Sequence, residues 1–343
     1  MNIIYIIGIV QAFFIEFLLL NKKKKNLSDK ILAAWMFVIG LHLFLSYLFH
    51  IEYYDTYPFF MGFVQPFPLL HGPLLLLYVY SLIRPNPSFK RIELLHFLPA
   101  VAFYILIFPD AFLTTGPELM EFAFGTLETN PPLYWIFFNT LNEFWGVVYV
   151  IWSLLVLRQH RKNIKDKFSY TEKINLGWLM KLIIGLAAIW VVVLATEEED
   201  YIYVATTIFV FFIGYFGSRQ GAIFTDNTSQ NHPKSNNPEK GKYEKSTLTE
   251  DKSQEYLMSL KEVVESEKLY LENKISLKDV SERLEIHPNH LSQVINEELK
   301  VNFYDFINGY RVEEFKKRLA ADTSKKFTLL AHAYDSGYSS KSS

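Results

Sequence analysis

Long apolar runs alternate with short polar stretches over the first 217 residues of the chain. A helix needs about 20 apolar residues to cross the hydrocarbon core of a bilayer, with a range of roughly 17–25. Seven runs have this length, so the pattern predicts seven membrane-spanning helices. The predicted spans are Ile3–Leu20, Ile31–Ile51, Pro66–Ile83, Ile92–Phe108, Leu133–Leu157, Gly177–Ala195 and Tyr201–Gly217. Pro99 lies inside the fourth span, where a helical bundle can tolerate it.

The loops between these spans alternate strictly in charge. Fourteen Lys and Arg side chains lie in three alternate loops, and the other three loops contain none. Basic residues are favoured on the cytoplasmic side of a membrane. The basic loops are 21–30, 84–91 and 158–176, and the loops without Lys or Arg are 52–65, 109–132 and 196–200.

This alternation predicts a multi-pass protein of the bacterial cytoplasmic membrane with its N-terminus outside. The first apolar run has no basic segment before it, so we expect it to be a retained span and not a cleaved signal peptide. Everything after Gly217 is then cytoplasmic. A soluble helical core, the alternative, would not place basic and acidic loops in strict alternation.

After the last span the composition changes twice. Residues 218–248 are rich in Asn, Ser, Pro and Lys without apolar periodicity, which is typical of a flexible linker. Residues 249–343 show the pattern of a helical domain again. The predicted organisation is therefore a membrane domain at 1–217, a linker at 218–248 and a cytoplasmic domain at 249–343. The predicted fold class is all-α.

The cytoplasmic part contains a helix-turn-helix pattern. A capping box at Ser276 opens a short helix, Leu277–Leu284, and after a three-residue turn Pro288 suits the first position of a second helix. The second helix displays side chains that can hydrogen-bond to base edges in the major groove of DNA. These candidate base-reading residues are Asn289, Ser292, Gln293 and Asn296.

Three stretches of this domain carry a family resemblance. Residues 275–296 resemble the first helix-turn-helix of the AraC/XylS family, residues 302–314 resemble its linker helix, and residues 327–342 resemble the start of its second helix-turn-helix. Ala333 and the Gly337–Tyr338 pair match positions that are usual in that second unit. In the membrane half, Gly72–Tyr80 and His96–Pro99 are similar to segments of AraC-type regulators that have an N-terminal membrane domain.

The resemblance implies a membrane-bound, sequence-specific transcription regulator that binds double-stranded operator DNA. Three residues depart from the family pattern, namely Glu285 where Gly is usual, Ser281 where Ala is usual and His332 where an aliphatic residue is usual. The second recognition helix has barely begun at Ser343. We therefore expect the second helix-turn-helix to be incomplete at the C-terminus.

The charge of this domain does not by itself indicate DNA binding. Residues 249–343 contain 14 Lys and Arg against 17 Asp and Glu, a net charge of −3. A local basic group at Arg311, Lys316 and Lys317 is a candidate for phosphate contacts. A solvated helix face is the alternative for the same residues.

Span five carries a polar cluster that is the candidate ligand-sensing site. Asn139 and Glu143 are four residues apart and share one helix face, with Asn142 beside them. Polar groups within a span are functional candidates because they are costly there. Hydrogen bonds that merely join helices are the alternative. The signal, a small molecule or a change in the membrane itself, is left open by the sequence.

Other chemistries find little support. The chain has no cysteine, and it contains no phosphate-binding Gly-rich loop, Gly-x-Ser-x-Gly elbow or His-Glu-x-x-His motif. His42, His71 and His96 lie on different predicted spans without a ligand pattern. We therefore predict no enzyme activity, no cofactor and no metal. The alternatives that stay open are a transporter or an interaction protein with a degenerate cytoplasmic domain that does not bind DNA, and a homodimer in place of a monomer.

Overall fold

The structure is a computed structural model, and it describes residues 2–53, 61–84, 87–113, 116–170, 176–196, 198–219, 248–323 and 326–339. The chain divides into two compact units. The first unit comprises Met1–Leu157 and Gly177–Lys234, and the second comprises Arg158–Leu176 and Ser235–Ser343. The predicted division assigned residues 158–176 to the membrane domain, whereas the contacts place them with the C-terminal helices.

The first unit consists of apolar helices. Its longer helices pack as neighbours: α2 lies against α1 and α4, and α10 lies against α1 and α9. The helices are α1 (Asn2–Leu20), α2 (Leu27–His50), α3 (Met61–Val64), α4 (Pro68–Ile83), α5 (Leu98–Phe112), α6 (Gly116–Glu121), α7 (Leu127–Thr129), α8 (Leu133–Lys165), α9 (Gly177–Ala195) and α10 (Glu199–Arg219). The last turns of α8, from Arg158, belong to the second unit.

Much of the apolar surface of this unit is exposed, as in a protein that faces lipid. Ile3, Val10 and Phe17 follow one another at seven-residue spacing on α1 and are 60% exposed or more. The opposite face of the same helix is buried at Tyr5 and Ala12. Such helices are apolar on every face, but the protein buries one face alone. The other face needs an apolar medium around it, because exposed apolar patches of this extent are rare on soluble monomers.

Five helical segments of the described part are long and apolar enough to cross a membrane, which indicates a membrane protein. Two further apolar helices are shorter, and they coincide with the third and seventh predicted spans. Pro99 stands near the start of α5, after a 3₁₀ turn over Arg91–Phe97, where its missing N–H removes no helical hydrogen bond. The five segments are Asn2–Leu20, Leu27–His50, Arg91–Ala111, Leu133–Lys165 and Gly177–Ala195, and the two shorter ones are Pro68–Ile83 and Asp200–Tyr215.

The second unit is also helical where it is described. Its one extended contact there is an isolated antiparallel bridge between Phe168 and Ser276. Its helices are α11 (Glu250–Ser266), a 3₁₀ turn at Leu269–Leu271, α12 (Leu277–Leu284), α13 (Pro288–Glu298), α14 (Phe303–Ala321) and α15 (Leu329–Asp335). Residues 220–247, which include most of the predicted linker, lie outside the described residues.

The helix starts that the sequence predicts in this unit are confirmed. Ser276 Oγ accepts a hydrogen bond from the Asp279 N–H, and the Asp279 carboxylate accepts one from the Ser276 N–H, which completes a capping box. Pro288 stands in the first turn of α13. Asn302 caps α14 by accepting from the Asp305 N–H at 2.9 Å. Such caps satisfy N–H groups that a helix leaves unpaired at its N-terminus.

An apolar core joins four helices of the second unit, α11 to α14. It includes Leu260 on α11, Val280 on α12, Leu291 on α13 and Ile307 on α14, each less than 1% exposed. The Tyr310 hydroxyl adds a polar link by donating to Glu265 at 3.0 Å. Burial and this hydrogen bond raise the pKa of Tyr310 to about 12, so the phenol keeps its proton at neutral pH. Together these contacts fix α12 and α13 relative to α11 and α14.

Candidate nucleic-acid interface

Helices α12 and α13 form the predicted helix-turn-helix pair. The three residues between them, Glu285 to His287, make the turn, and Ile286 is buried in the core. The Ile286 N–H donates to the Ser281 carbonyl at 3.0 Å, which closes the end of α12. The angle between the two helices is therefore set by core packing and by main-chain hydrogen bonds.

Two departures from the family pattern are accommodated locally. Glu285 has a left-handed backbone with φ +55°, the conformation in which glycine is favoured after a helix. A non-glycine residue is strained there, by roughly 1–2 kcal/mol. Ser281 is 2% exposed, and its hydroxyl donates to the Leu277 carbonyl one turn earlier at 2.7 Å. The serine therefore fills the alanine position without an unsatisfied hydroxyl.

The four candidate base-reading residues of α13 do not share one environment. Asn289 is exposed, and Ser292 and Asn296 are partly buried. Gln293 is buried at 8% exposure, and its amide donates to Glu297 on the same helix at 3.0 Å. The polar face of α13 is thus formed by Asn289, Ser292 and Asn296, and the Asn296 amide donates to the Ser292 carbonyl at 2.7 Å. Gln293 would have to turn outward to reach a base.

The three candidate phosphate-contact residues also differ in exposure. Lys316 and Lys317 on α14 are exposed, and Lys316 pairs with Glu313 at 2.7 Å. Such a surface pair contributes little to stability, so Lys316 can exchange its carboxylate for a phosphate. Arg311 is different, because it is only 2% exposed. The geometry does not favour Arg311 as a phosphate contact.

The Arg311 guanidinium holds several parts of the second unit together. It donates to the carbonyls of Tyr270 and Glu272, both at 2.8 Å, and to the carbonyl of Ser169 at 2.9 Å. It also donates to the Ser169 hydroxyl at 3.1 Å. A buried arginine is stable only when such hydrogen bonds replace its hydration. Its role here is to position main-chain segments.

The stretch that resembles a second helix-turn-helix begins with α15. His332 is buried there, and its Nε2 lies 3.0 Å from the Asp322 carboxylate. Asp322 also accepts hydrogen bonds from the N–H groups of Lys326 and Phe327. A histidine at a usually aliphatic position is therefore satisfied by hydrogen bonds. Gly337 follows α15 with φ +92°, a backbone conformation that favours glycine. This conformation explains why glycine stands at the position that resembles the second helix-turn-helix.

In the first unit the three candidate ligand-sensing residues have different surroundings. The Asn139 amide donates to the Trp135 carbonyl of its own helix at 3.0 Å. The Asn142 amide donates to the Gln65 carbonyl at 3.2 Å and so joins α8 to the segment before α4. Glu143 is exposed on α8. The Asn142 carbonyl oxygen is buried without a hydrogen-bond partner, which leaves one acceptor in this cluster for a donor.

Of the three histidines that lie on different predicted spans, His42 and His71 meet in the interior. His42 Nδ1 lies 3.1 Å from His71 Nε2, and the Trp35 indole donates to His71 Nδ1 at 3.3 Å. His96 lies apart from them, with its Nδ1 2.7 Å from the Tyr149 hydroxyl. Within the described residues no group of three or more His, Cys, Asp or Glu side chains is arranged to hold a metal ion.

Sequence reasoning missed one element that contacts the helix-turn-helix. Residues 166–170, in the loop between α8 and α9, lie against α12 and α14 and are held there by Arg311. The pattern of this loop showed only its basic charge. Its contacts join residues more than 100 positions apart, and no local pattern signals such pairing.

Comparison of the chain with protein-family models, with curated proteins and with solved structures gives no match. The helix-turn-helix geometry and the apolar helices therefore carry the functional argument.

Proposed function

We propose that this chain is a membrane-bound, sequence-specific DNA-binding regulator of transcription, similar to AraC-type regulators. The observation that carries the proposal is the polar face of α13, formed by Asn289, Ser292 and Asn296, on a helix whose other face is fixed in the core by Leu291 and Ile295. Asn binds adenine through two hydrogen bonds, and Ser can bond to any base edge. A recognition helix needs this combination of a rigid inner face and a polar outer face.

The membrane part of the proposal has seven spans, with the second unit in the cytoplasm. Five long apolar helices and two shorter ones support this count. The strict alternation of basic and acidic loops supports the orientation, because it places every basic loop on the side of the DNA. The protein would then detect a signal at the membrane and respond on the chromosome, as a one-component sensor without enzyme activity.

The test is crosslinking of the protein to DNA in cells, followed by sequencing of the bound fragments. We expect discrete peaks with the unchanged chain, run beside any longer form of it. The Asn289→Ala/Ser292→Ala variant should lose those peaks, because both side chains lie outside the core and their loss removes base contacts without unfolding α13. Each lost bidentate base contact is worth roughly 1–3 kcal/mol of discrimination.

The matched control is Asn273→Ala/Ser266→Ala, which removes the same two residue types from exposed positions outside α13. It should keep every peak. If neither the chain nor a longer form gives peaks while both are present in the membrane, the regulator proposal fails. Attention would then move to a transporter or an interaction protein.

A further inference from the structure

Helix α8 ends at Lys165, and the chain continues through a turn at residues 166–167 to residue 170. Residues 166–170 are here named the docking segment. Ser169 in this segment is only 1% exposed. A small polar residue of a connecting loop is usually solvated, so its burial needs partners for its main chain and its hydroxyl. All three polar groups of Ser169 find them on the C-terminal helices.

Main-chain pairing joins the docking segment to the start of α12. The Ser169 N–H donates to the Ile275 carbonyl at 3.2 Å, and the Leu277 N–H donates to the Lys167 carbonyl at 2.9 Å. These two bonds flank the antiparallel bridge between Phe168 and Ser276. The Ser169 hydroxyl also donates to the Ile275 carbonyl, at 2.7 Å.

Helix α14 contacts the other side of the same segment. Arg311 donates to both the carbonyl and the hydroxyl of Ser169, and Asn308 adds a longer contact of 3.4 Å to that carbonyl. Next to the segment, Lys165 Nζ lies 5.3 Å from the centre of the Tyr304 ring, at cation–π distance. The docking segment is therefore held from α12 and from α14 together.

We propose that the residues at the start of α12 and on α14 form a binding site for the docking segment, and that this site attaches the C-terminal helices to the end of α8, within the second unit, independently of the linker. The site recognises an extended main chain with a small hydroxyl residue at its centre, because Arg311 and Ile275 bond to main-chain and hydroxyl atoms of Ser169. The C-terminal helices thus have two attachments to the preceding chain, the linker after α10 and this site after α8.

This site leaves the polar face of α13 uncovered. The hydrogen bonds described above join the segment to Ile275, Leu277, Asn308 and Arg311, which lie outside α13, and Asn289 on α13 is exposed. Docking is therefore compatible with an accessible α13. It does not require the domain to bind DNA.

The experiment uses the absence of cysteine from the chain. The double variant Phe168→Cys/Ser276→Cys places two thiols at the antiparallel bridge, where facing residues are close enough for a disulfide. A protease site is introduced into the predicted linker at 226–241. Membranes from cells that contain the full chain are oxidised first, the linker is cut next, and the products are separated without reductant.

We expect most of the chain to remain joined after cutting, because the disulfide connects the two fragments. The control pair Phe168→Cys/Ser292→Cys should separate into two fragments. Ser169→Pro, added to the first pair, removes both the N–H and the hydroxyl of Ser169, which together make three of the hydrogen bonds described above. It should therefore lower the joined fraction roughly tenfold or more, since one hydrogen bond is worth about two- to tenfold in an equilibrium constant. Ser88→Pro, the same substitution at an exposed position of loop 84–91, should leave it unchanged.

Fragments that separate in the first pair would overturn the proposal, as would equal joining of the control pair. A joined fraction that Ser169→Pro does not lower would also overturn it, since the contact would then not depend on this site. No DNA is used in the measurement, so its outcome is distinguishable from that of the DNA-crosslinking test.

Discussion

Replacing Gly337 by Ala is expected to detach the end of α15 from the rest of the second unit. A Cβ atom at this position would lie 2.2 Å from the Tyr270 carbonyl oxygen and 2.9 Å from the Leu271 Cα, both of which are main-chain atoms. The backbone also has φ +92°, which a residue with a Cβ rarely adopts. Steric overlap and strain act together, and we expect a loss of about 2–4 kcal/mol of local stability.

Hydrogen exchange of the amides of α15 in the full chain measures this loss. A destabilisation of that size would raise the exchange rates of these amides roughly 30- to 1,000-fold, since 1.4 kcal/mol corresponds to tenfold. Gly309→Ala is the matched control, because a Cβ there meets nothing within 4 Å in the interior of α14. It should stabilise the helix by about 0.5–1 kcal/mol. Unchanged protection of α15 in Gly337→Ala would contradict the packing described.

The second large effect is expected in the first unit, from Gly146→Ala. Helices α8 and α9 approach closely at this glycine, where a Cβ would lie 1.7 Å from a ring atom of Trp190. Trp190 is only 6% exposed, so its indole has little space to move aside. Small residues let helices pack closely in a membrane. The added methyl group should push α8 and α9 apart, at about 2–3 kcal/mol, the upper part of the usual overpacking range.

Apparent melting in lipid nanodiscs at a fixed scan rate reports this change. The midpoint should fall by roughly 5–10 °C for a unit of this size. The control is Gly125→Ala, whose Cβ would meet only the Glu121 Cγ at an ordinary 3.7 Å. It should melt within about 2 °C of the unchanged chain. If Gly146→Ala and Gly125→Ala both melt at the same midpoint as the unchanged chain, α8 and α9 are not in close contact at Gly146.

Local patterns predicted the elements of this protein well. Helix α12 begins at Leu277 and ends at Leu284, as its capping box and apolar spacing indicate. Pro288 begins its helix as predicted. These features could be predicted because caps and periodicity act over a few residues, within one element. The apolar runs that correspond to α1, α2 and α9 were recognised for the same reason.

The features that the sequence did not reveal depend on pairing between distant residues. Nothing near Ser169 shows that its main chain lies against Ile275, which is 106 positions away. Arg311 was considered as part of a basic group because its charge is visible in the sequence, whereas its burial is not. Gln293 has the spacing of an outward residue but is covered in the fold. Periodicity shows which face of a helix a residue lies on. Whether its side chain is buried is decided by tertiary contacts, which periodicity does not show.

Selection from random duplex DNA tests the proposal that this membrane protein binds specific DNA sequences through α13. The purified full chain, beside any longer form, would be held in lipid nanodiscs at fixed salt while bound duplexes are recovered over several rounds. We expect the pool to converge on one sequence. Asn289→Ala/Ser292→Ala should abolish the convergence, and Lys316→Ala should weaken binding to all sequences alike, because phosphate contacts carry no sequence information. A pool that stays random with every form of the chain would show that α13 does not bind a specific DNA sequence.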